Sequence, residues 1–274
     1  MPKYSKFGDR TPGVLVGLLI ALSRKTFLGR GRLRKLILYM VRFLHPGTID
    51  THLWGVPMRL DHHTNMSEHK PLLRLDRYDN LEREFMRASL TGVANPVFVD
   101  IGANIGLYSL DAVLNGPANT MAIAIEPQPQ IIDRLLFNIA AIAGSGETRV
   151  ERIKVVPCAV GADNGVARLE TPRLKHLARI VERGGIEVPM KTLFRILEEE
   201  KIDHIDCLKI DIEGFEGEAL GPFLQHAADH LLPNTLLFEH THSEEWTNDI
   251  LGLLSKRGYS EISRTRGNAM WSRR

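Results

Sequence analysis

A glycine-rich turn directly after an acid is the first feature of this sequence that could do chemistry. Asp100 ends the apolar run VFVD, and Gly102, Asn104 and Gly106 follow within the segment DIGANIG. Glycines at these positions permit a tight turn and let the backbone approach a ligand closely. In an open α/β sheet, ligands bind outside the carboxyl ends of the strands, which is where this turn is predicted to lie.

Two more predicted strands also end in acids. Glu126 follows the run MAIAI, 24 residues beyond the first glycine of the turn. A carboxylate at that separation can accept hydrogen bonds from the ribose hydroxyls of an adenosine. Asp211 and Glu213 follow the run CLKI, and the pair Glu239–His240 follows LLF. Because parallel strands end at the same edge of a sheet, we expect these side chains to line one site.

The charges in this site favour S-adenosylmethionine over a dinucleotide. The dinucleotide fingerprint G-x-G-x-x-G does not occur at the turn. A carboxylate beside a diphosphate would also cost like-charge repulsion. S-adenosylmethionine has no phosphate and carries an ammonium and a sulfonium. Asp100 near the ammonium and Glu126 on the ribose would match it, while NAD is the alternative ligand.

Two blocks of the sequence resemble the signature blocks of FkbM-type methyltransferases. These are VDIGANIGLY at 99–108 and LKIDIEGFE at 208–216, and the resemblance runs in order over 76–242. It implies a class I methyltransferase fold, which is a doubly wound, Rossmann-like α/β sheet, mostly parallel with an antiparallel last strand. It also implies S-adenosylmethionine-dependent O-methylation. By this resemblance the methionine part of the donor would contact Asp100, Gly102, Asn104 and Gly106, the ribose would contact Glu126, and the adenine would lie near Ala159.

A hydroxyl acceptor needs a base to take its proton as the methyl group is transferred. The candidates are His240, Asp211, Glu213 and His242, and we rank His240 and Asp211 equally. Asp211 is also a candidate donor-binding residue, and Glu213 is alternatively an acid at a helix start. A divalent metal held by Asp211, Glu239 and His240 is conceivable, but the spacing does not require one and we expect no metal.

Alternating strands and helices from residue 96 onward predict a parallel sheet covered on both faces. Predicted strands lie at 97–100, 121–126, 153–160, 166–170, 206–211 and 236–239, with a terminal hairpin at 259–272. Predicted helices lie at 105–114, 130–143, 192–200, 214–220 and 244–256. We divide the chain into a basic amphipathic arm at 1–45, a lead-in segment of strand, loop and helix at 46–95, and a methyltransferase domain at 96–274.

The charge of the chain is concentrated at its start. The 274 residues carry 35 Lys and Arg against 33 Asp and Glu, but residues 1–45 contain ten basic side chains and one acid. Their first apolar piece, 13–22, is too short to span a bilayer and is alternatively a signal peptide. The second piece, 30–44, predicts an amphipathic helix. It either lies on an anionic membrane or docks on the protein with its basic face in solvent.

The sequence as a whole predicts a methyltransferase that modifies a hydroxyl of a sugar, glycolipid or related small molecule, with a lipid-linked sugar among the acceptors. The alternatives are an NAD-dependent sugar-modifying oxidoreductase and a non-catalytic, membrane-associated binding module. A nucleic-acid partner is disfavoured because no aromatic-rich basic stripe is present. Two cysteines, Cys158 and Cys207, fit the reducing cytoplasm. The basic arm suggests a place at the inner membrane face.

Overall fold

The computed structural model describes residues 5–64, 66–170, 179–180, 184–241 and 243–273. The chain divides into two compact units. The larger unit contains Leu81–Ile132, Arg149–Thr171 and Leu177–Arg274, and the smaller contains Met1–Asn80, Asp133–Thr148 and Pro172–His176. The three parts drawn from the sequence, with boundaries after residues 45 and 95, stay predictions.

The strands of the described residues are short, as in most α/β proteins. In chain order they are β1 (Ile49–Leu53), β2 (Val56–Leu60), β3 (Val97–Ile101), β4 (Met121–Ile125), β5 (Ile153–Val156), β6 (Ala159–Val160), β7 (Gly165–Glu170), β8 (Arg179–Ile180), β9 (Ile186–Lys191), β10 (Cys207–Ile210), β11 (Thr235–Glu239), β12 (Tyr259–Arg264) and β13 (Asn268–Arg273). The helices are α1 (Val14–Lys25), α2 (Gly31–Leu44), α3 (Met66–Leu73), α4 (Asn80–Leu90), α5 (Leu107–Asn115), α6 (Pro129–Ala143), α7 (Leu193–Glu200), α8 (Glu216–His226) and α9 (Ile250–Lys256).

A seven-stranded sheet forms the centre of the larger unit, in the order β12-β13-β11-β10-β3-β4-β5. Strands β11, β10, β3, β4 and β5 are mutually parallel, and β13 runs antiparallel to β11. This order, with one antiparallel strand inserted beside the parallel set, confirms the predicted class I methyltransferase fold. Every residue of β3 and β10 is buried, as expected for central parallel strands covered on both faces.

The run predicted as one strand over 153–160 is two strands in two sheets. Strand β5 ends at Val156 in the large sheet, and β6 begins at Ala159 in a four-stranded sheet of order β6-β9-β7-β8. Pro157 has no backbone N–H to donate to a ladder, so the pairing stops there. The chain then turns at Cys158, whose N–H donates to the Val156 carbonyl at 3.0 Å.

Two predicted helices have different limits in the structure. Helix α8 continues through Pro222 to His226, because one lost N–H bond is outweighed by burying Leu220, Phe223 and Leu224 in the core. Helix α9 begins at Ile250 rather than at 244. The Asp249 carboxylate caps this start by accepting the Gly252 N–H at 2.9 Å, which fixes the first turn.

The smaller unit contains a hairpin at the start of the segment predicted as strand, loop and helix. Strands β1 and β2 pair antiparallel, with Ile49 opposite Leu60. Its Arg59 is fully buried against Asp50, at 2.6 Å between Nε and Oδ1. The apolar pieces of the basic arm are helices α1 and α2. No helix among the described residues is long and apolar enough to cross a membrane.

A buried histidine in the smaller unit lowers the stability of the fold in acid. His62 is fully buried, and both of its ring nitrogens lack hydrogen-bond partners. Its ring lies 4.4 Å from that of His63 and 6.1 Å from that of His45, measured between centroids. Burial, followed by the positive charge of these neighbours, lowers the pKa of His62 to about 3. Protonation of His62 therefore favours the unfolded chain.

We expect His62→Phe to protect the protein from acid. Between pH 6.5 and 3 the unfolded histidine binds a proton that the folded one does not, so wild-type stability falls as the pH is lowered through this window. One such group changes the free energy of unfolding by about 1.4 kcal/mol per pH unit. Urea unfolding of both proteins at neutral pH and in mild acid measures the difference. Equal losses in both proteins would contradict the assignment.

Candidate active site

The glycine-rich turn joins β3 to α5 and is shaped by three residues with positive φ. These are Gly102 at +76°, Asn104 at +51° and Gly106 at +85°. The N–H groups of Gly102 and Ala103 both donate to the Ile125 carbonyl at the end of β4, each at 3.0 Å. A Cβ atom on Gly102 would lie 2.0 Å from the Asp211 carbonyl oxygen. The close packing of this turn against the end of β10 therefore requires glycine at 102.

Glu126 links this turn to the end of β4. Its Oε2 accepts the Asn104 N–H at 3.0 Å, and its Oε1 accepts the Gln128 N–H at 2.9 Å. Burial raises the pKa of Glu126 to about 7, although both hydrogen bonds act in the opposite direction. The sequence-predicted ribose acceptor and the glycine-rich turn are thus brought into direct contact.

Asp100 lies beneath the turn and is fully buried. Its Oδ2 accepts hydrogen bonds from the Ser109 N–H at 3.1 Å and from the Ser109 hydroxyl at 2.7 Å. Its Oδ1 lies 3.4 Å from Nζ of Lys209, which is also 3.8 Å from Oδ2 of Asp211. The Lys209 ammonium sits 5.1 Å from the centre of the Tyr108 ring. These contacts place Asp100 as a support for the turn and for the start of α5.

Three carboxylates meet at the ends of β10 and β11. Oxygen atoms of Asp211, Glu213 and Glu239 all lie within 4.8 Å of one another. Burial, followed by the charge of Asp211 and then that of Glu213, raises the pKa of Glu239 to about 8. Thr241 donates its hydroxyl to Oε1 of Glu239. At neutral pH Glu239 is therefore mostly protonated.

This cluster differs from the metal site considered from the sequence, which consisted of Asp211, Glu239 and His240. The three carboxylates are the group of potential metal ligands found among the described residues, and His240 is not in it. Nε2 of His240 lies 3.2 Å from the Thr265 carbonyl, and its backbone N–H donates to Gly267. His240 thus contacts the β12–β13 turn. His242 lies outside the described residues.

Glu216 is a supporting residue that the sequence reasoning did not single out. It is buried at the start of α8, and its Oε1 accepts the Ile212 N–H at 2.9 Å. Its Oε2 accepts the Trp246 ring N–H at 3.0 Å. Glu216 therefore fixes the loop that carries Asp211 and Glu213. The sequence signal that could have identified Glu216 is its position as an acid in the first turn of the helix predicted at 214–220.

Ala159, the predicted neighbour of the adenine, is the first residue of β6. It is buried and pairs with Met190 of β9. The preceding residue, Cys158, is also buried, and its thiol is free. Burial raises the pKa of this thiol to about 11, so it stays protonated at neutral pH.

Comparison with known proteins gives matches to methyltransferases. The family model described as "Methyltransferase FkbM domain" matches residues 100–261. The chain is 29% identical over 164 residues to "Methyltransferase sdnD" of Sordaria araneosa, an alignment that spans 46% of this chain and 60% of that protein. The chain thus covers less than two thirds of this relative.

Two solved structures that align with this chain are the following. The crystal structure of Methyltransferase FkbM from Methylobacillus flagellatus aligns with a TM-score of 0.47 at 18% identity, covering 76% of this chain and 55% of that one. The structure of M. jannaschii TYW2 in complex with AdoMet aligns with a TM-score of 0.41 at 13% identity, covering 83% of this chain and 87% of that one.

The family match covers more than half of the chain and includes the glycine-rich turn, Glu126 and the carboxylates at the ends of β10 and β11. The sheet order within the larger unit is that of the class I methyltransferase fold. This chain therefore belongs to the FkbM methyltransferase family.

Proposed function

We propose that this protein uses S-adenosylmethionine to methylate a hydroxyl group of a sugar, glycolipid or related small molecule. The observation that supports this most is the gathering of acids at the carboxyl ends of four adjacent parallel strands. In sheet order these are Glu239, Asp211, Asp100 and Glu126. Such a site attracts a ligand with an ammonium and a sulfonium, and it repels a diphosphate.

The residues present fit the methyl donor. Each oxygen of Glu126 accepts one backbone N–H, which leaves lone pairs for ribose hydroxyls. The turn from Gly102 to Gly106 would hold the methionine part, and Ala159 would lie beside the adenine. When bound, S-adenosylmethionine supplies an electrophilic methyl group on its sulfonium.

The pair of Asp211 and Glu239 is proposed to take the proton of the acceptor hydroxyl. A base works best when its pKa lies near the operating pH, and the pKa of Glu239 is raised into that range. The charge of Glu213 also raises the pKa of Glu239, which makes Glu239 more basic. His240 stays a second candidate from the sequence, but its ring nitrogen is in contact with a backbone carbonyl.

We place this activity in the cytoplasm, where the donor is made. The two free, buried cysteines fit a reducing compartment. The acceptor is proposed to include sugars linked to lipids, since the chain carries a strongly basic arm. The following titration tests the donor independently of the acceptor.

Calorimetric titration with S-adenosylmethionine, and separately with NAD, is expected to show binding of the first ligand only. Glu126→Ala is expected to weaken donor binding by about 10- to 100-fold, since hydrogen bonds to a charged group contribute about 1.5–3 kcal/mol. Donor affinity should rise with pH through about 7, because only the ionised Glu126 accepts both hydroxyls. Glu84→Ala, which removes an exposed acid outside the site, is the control.

Thermal unfolding of each variant shows whether the fold is retained. Binding of NAD in place of the methyl donor would favour the oxidoreductase. Failure of the folded wild-type protein to bind either ligand would favour the non-catalytic module.

A further inference from the structure

Helix α1 leaves an apolar face in solvent. Val16 and Ile20 point into the smaller unit and are almost fully buried. The opposite face is apolar as well, and Val14, at its start, is 83% exposed. Leu18 and Leu22 follow it at spacings of four residues and are also exposed, so the three side chains form one continuous stripe.

Helix α2 repeats this arrangement. Ile37 and Val41 are its buried residues, and they account for only part of its apolar surface. Leu36, Tyr39 and Phe43 follow one another at helical spacing and are 56%, 68% and 77% exposed. A helix that served only to dock on the protein would bury its large apolar side chains. Exposed apolar groups that recur along two neighbouring helices mark an interaction surface.

Basic side chains accompany the two apolar stripes. No Asp or Glu occurs between Asp9 and Asp50, a segment that contains both helices. Within the smaller unit, a cavity of about 350 Å³ lies where α1 ends, and it opens among basic groups. Its charged lining residues are Arg24, Lys25, Arg30, Arg74 and Arg77, with Asp76 as the acid.

The positive charges of this cavity act on one another. The pKa of Arg74 is lowered by burial and then by the positive charges of Arg34, Arg77 and Arg30. Several guanidinium groups that line one cavity favour an anion between them. Arginine binds phosphate oxygens with paired N–H groups, so a phosphate group fits the lining.

We propose that helices α1 and α2 and this arginine-lined cavity form a docking surface for an anionic phospholipid bilayer. The apolar stripes enter the boundary between headgroups and acyl chains, and the cavity receives a lipid phosphate. Each helix lies in the plane of the interface, as amphipathic helices with basic flanks do. This inference does not depend on the proposed methyl transfer.

The charge of the surface selects a membrane over a second copy of the chain. Residues 1–45 have ten basic side chains and one acid, so two such faces would repel each other. The cytoplasmic leaflet of a membrane is negative and attracts basic segments by roughly 1 kcal/mol for each Lys or Arg near the surface. A bilayer thus matches both the charge and the apolar stripes.

Vesicle flotation with the full chain tests the proposal. At low salt the protein is expected to float with vesicles that contain about one third phosphatidylglycerol in phosphatidylcholine, and to stay behind with phosphatidylcholine alone. Leu36→Ser with Phe43→Ser should reduce the bound fraction at least tenfold, and so should Arg30→Ala with Arg77→Ala. Matched controls are Val166→Ser with Ile262→Ser for exposed apolar groups, and Lys256→Ala with Arg266→Ala for exposed charges.

Three results would overturn the proposal. The first is a folded wild-type protein that does not bind anionic vesicles at low salt. The second is binding that the helix and cavity variants retain. The third is evidence that the helices or the cavity bind something other than a bilayer. Inorganic phosphate that binds the cavity while vesicles do not would indicate a free anion site, and self-association that Phe43→Ser abolishes, without vesicle binding, would indicate a dimer interface.

Discussion

Glu239→Gln is expected to lower the rate of methyl transfer by roughly two to four orders of magnitude, the range that a positioned general base contributes. The carboxylate of Glu239 is held near Asp211 and Glu213, and its pKa is raised to about 8 by burial and by these charges. A glutamine has nearly the same shape but cannot take a proton. The loss should therefore appear in kcat, with donor affinity almost unchanged.

The pH profile distinguishes this role from a merely structural one. In the wild-type protein the rate should rise with pH and level off above about 8, because Glu239 must lose its proton before it can act as the base. In Glu239→Gln this inflection should disappear. Transfer of labelled methyl groups to a panel of glycans and lipid-linked sugars provides the rates. An unchanged profile in the variant would assign the base elsewhere, with His240 next.

The stability of the variant provides a control. Glu239 ionises near pH 4.5 in the unfolded chain but near pH 8 in the folded one, so ionisation favours unfolding as the pH rises through this window. Removing the titrating group should leave the variant at least as stable as the wild type at neutral pH. Loss of activity in a protein with an unchanged or higher Tm would therefore reflect chemistry. Difference infrared spectroscopy can follow the carboxyl proton directly, without an acceptor.

Lys209→Met is expected to destabilise the larger unit by about 3–5 kcal/mol, the cost of leaving a buried charge without its partner. The Lys209 side chain is 7% exposed, and its ammonium lies 3.4 Å from Oδ1 of the fully buried Asp100. Methionine fills nearly the same volume, so packing is preserved while the positive charge is lost. Chemical unfolding of both proteins measures the difference.

A double variant separates the charge from the shape. Asp100→Asn combined with Lys209→Met removes both charges, and much of the lost stability should return. Lys154→Met is the matched control on β5, because Lys154 pairs with Glu200 in a bridge whose lysine side chain is 45% exposed. Such surface pairs contribute about 0–1 kcal/mol. If Lys209→Met lowers the free energy of unfolding by no more than this, the buried pair of Asp100 and Lys209 is not needed for stability.

The sequence predicted the part of the proposed active site that consists of acids at the ends of strands. The runs before Asp100, Glu126 and Asp211 are apolar and short, and each acid directly follows a β-strand or lies at its end. Parallel strands end at one edge, so the sequence pattern was enough to group these acids. The contact between Glu126 and Asn104 is a consequence of that grouping.

Which of the side chains at the strand ends contact one another could not be predicted from the sequence. Asp211 and Glu239 are 28 positions apart, and they meet because β11 pairs with β10 in parallel register. Glu239 and His240 are adjacent in the chain, and the structure brings only Glu239 into the acid cluster, while the ring of His240 contacts the β12–β13 turn. Side-chain direction decides this, and it depends on pairing with β13.

The sequence by itself determined the fold class, the acids at the strand ends and the basic, amphipathic character of the first 45 residues, because these follow from local periodicity and composition. Only the tertiary structure decided which of those groups are buried. It placed Lys209 beside Asp100, brought Glu239 to Asp211, and left the apolar stripes of α1 and α2 in solvent. Burial and pairing depend on which elements pack together, and residues far apart in the chain set that packing.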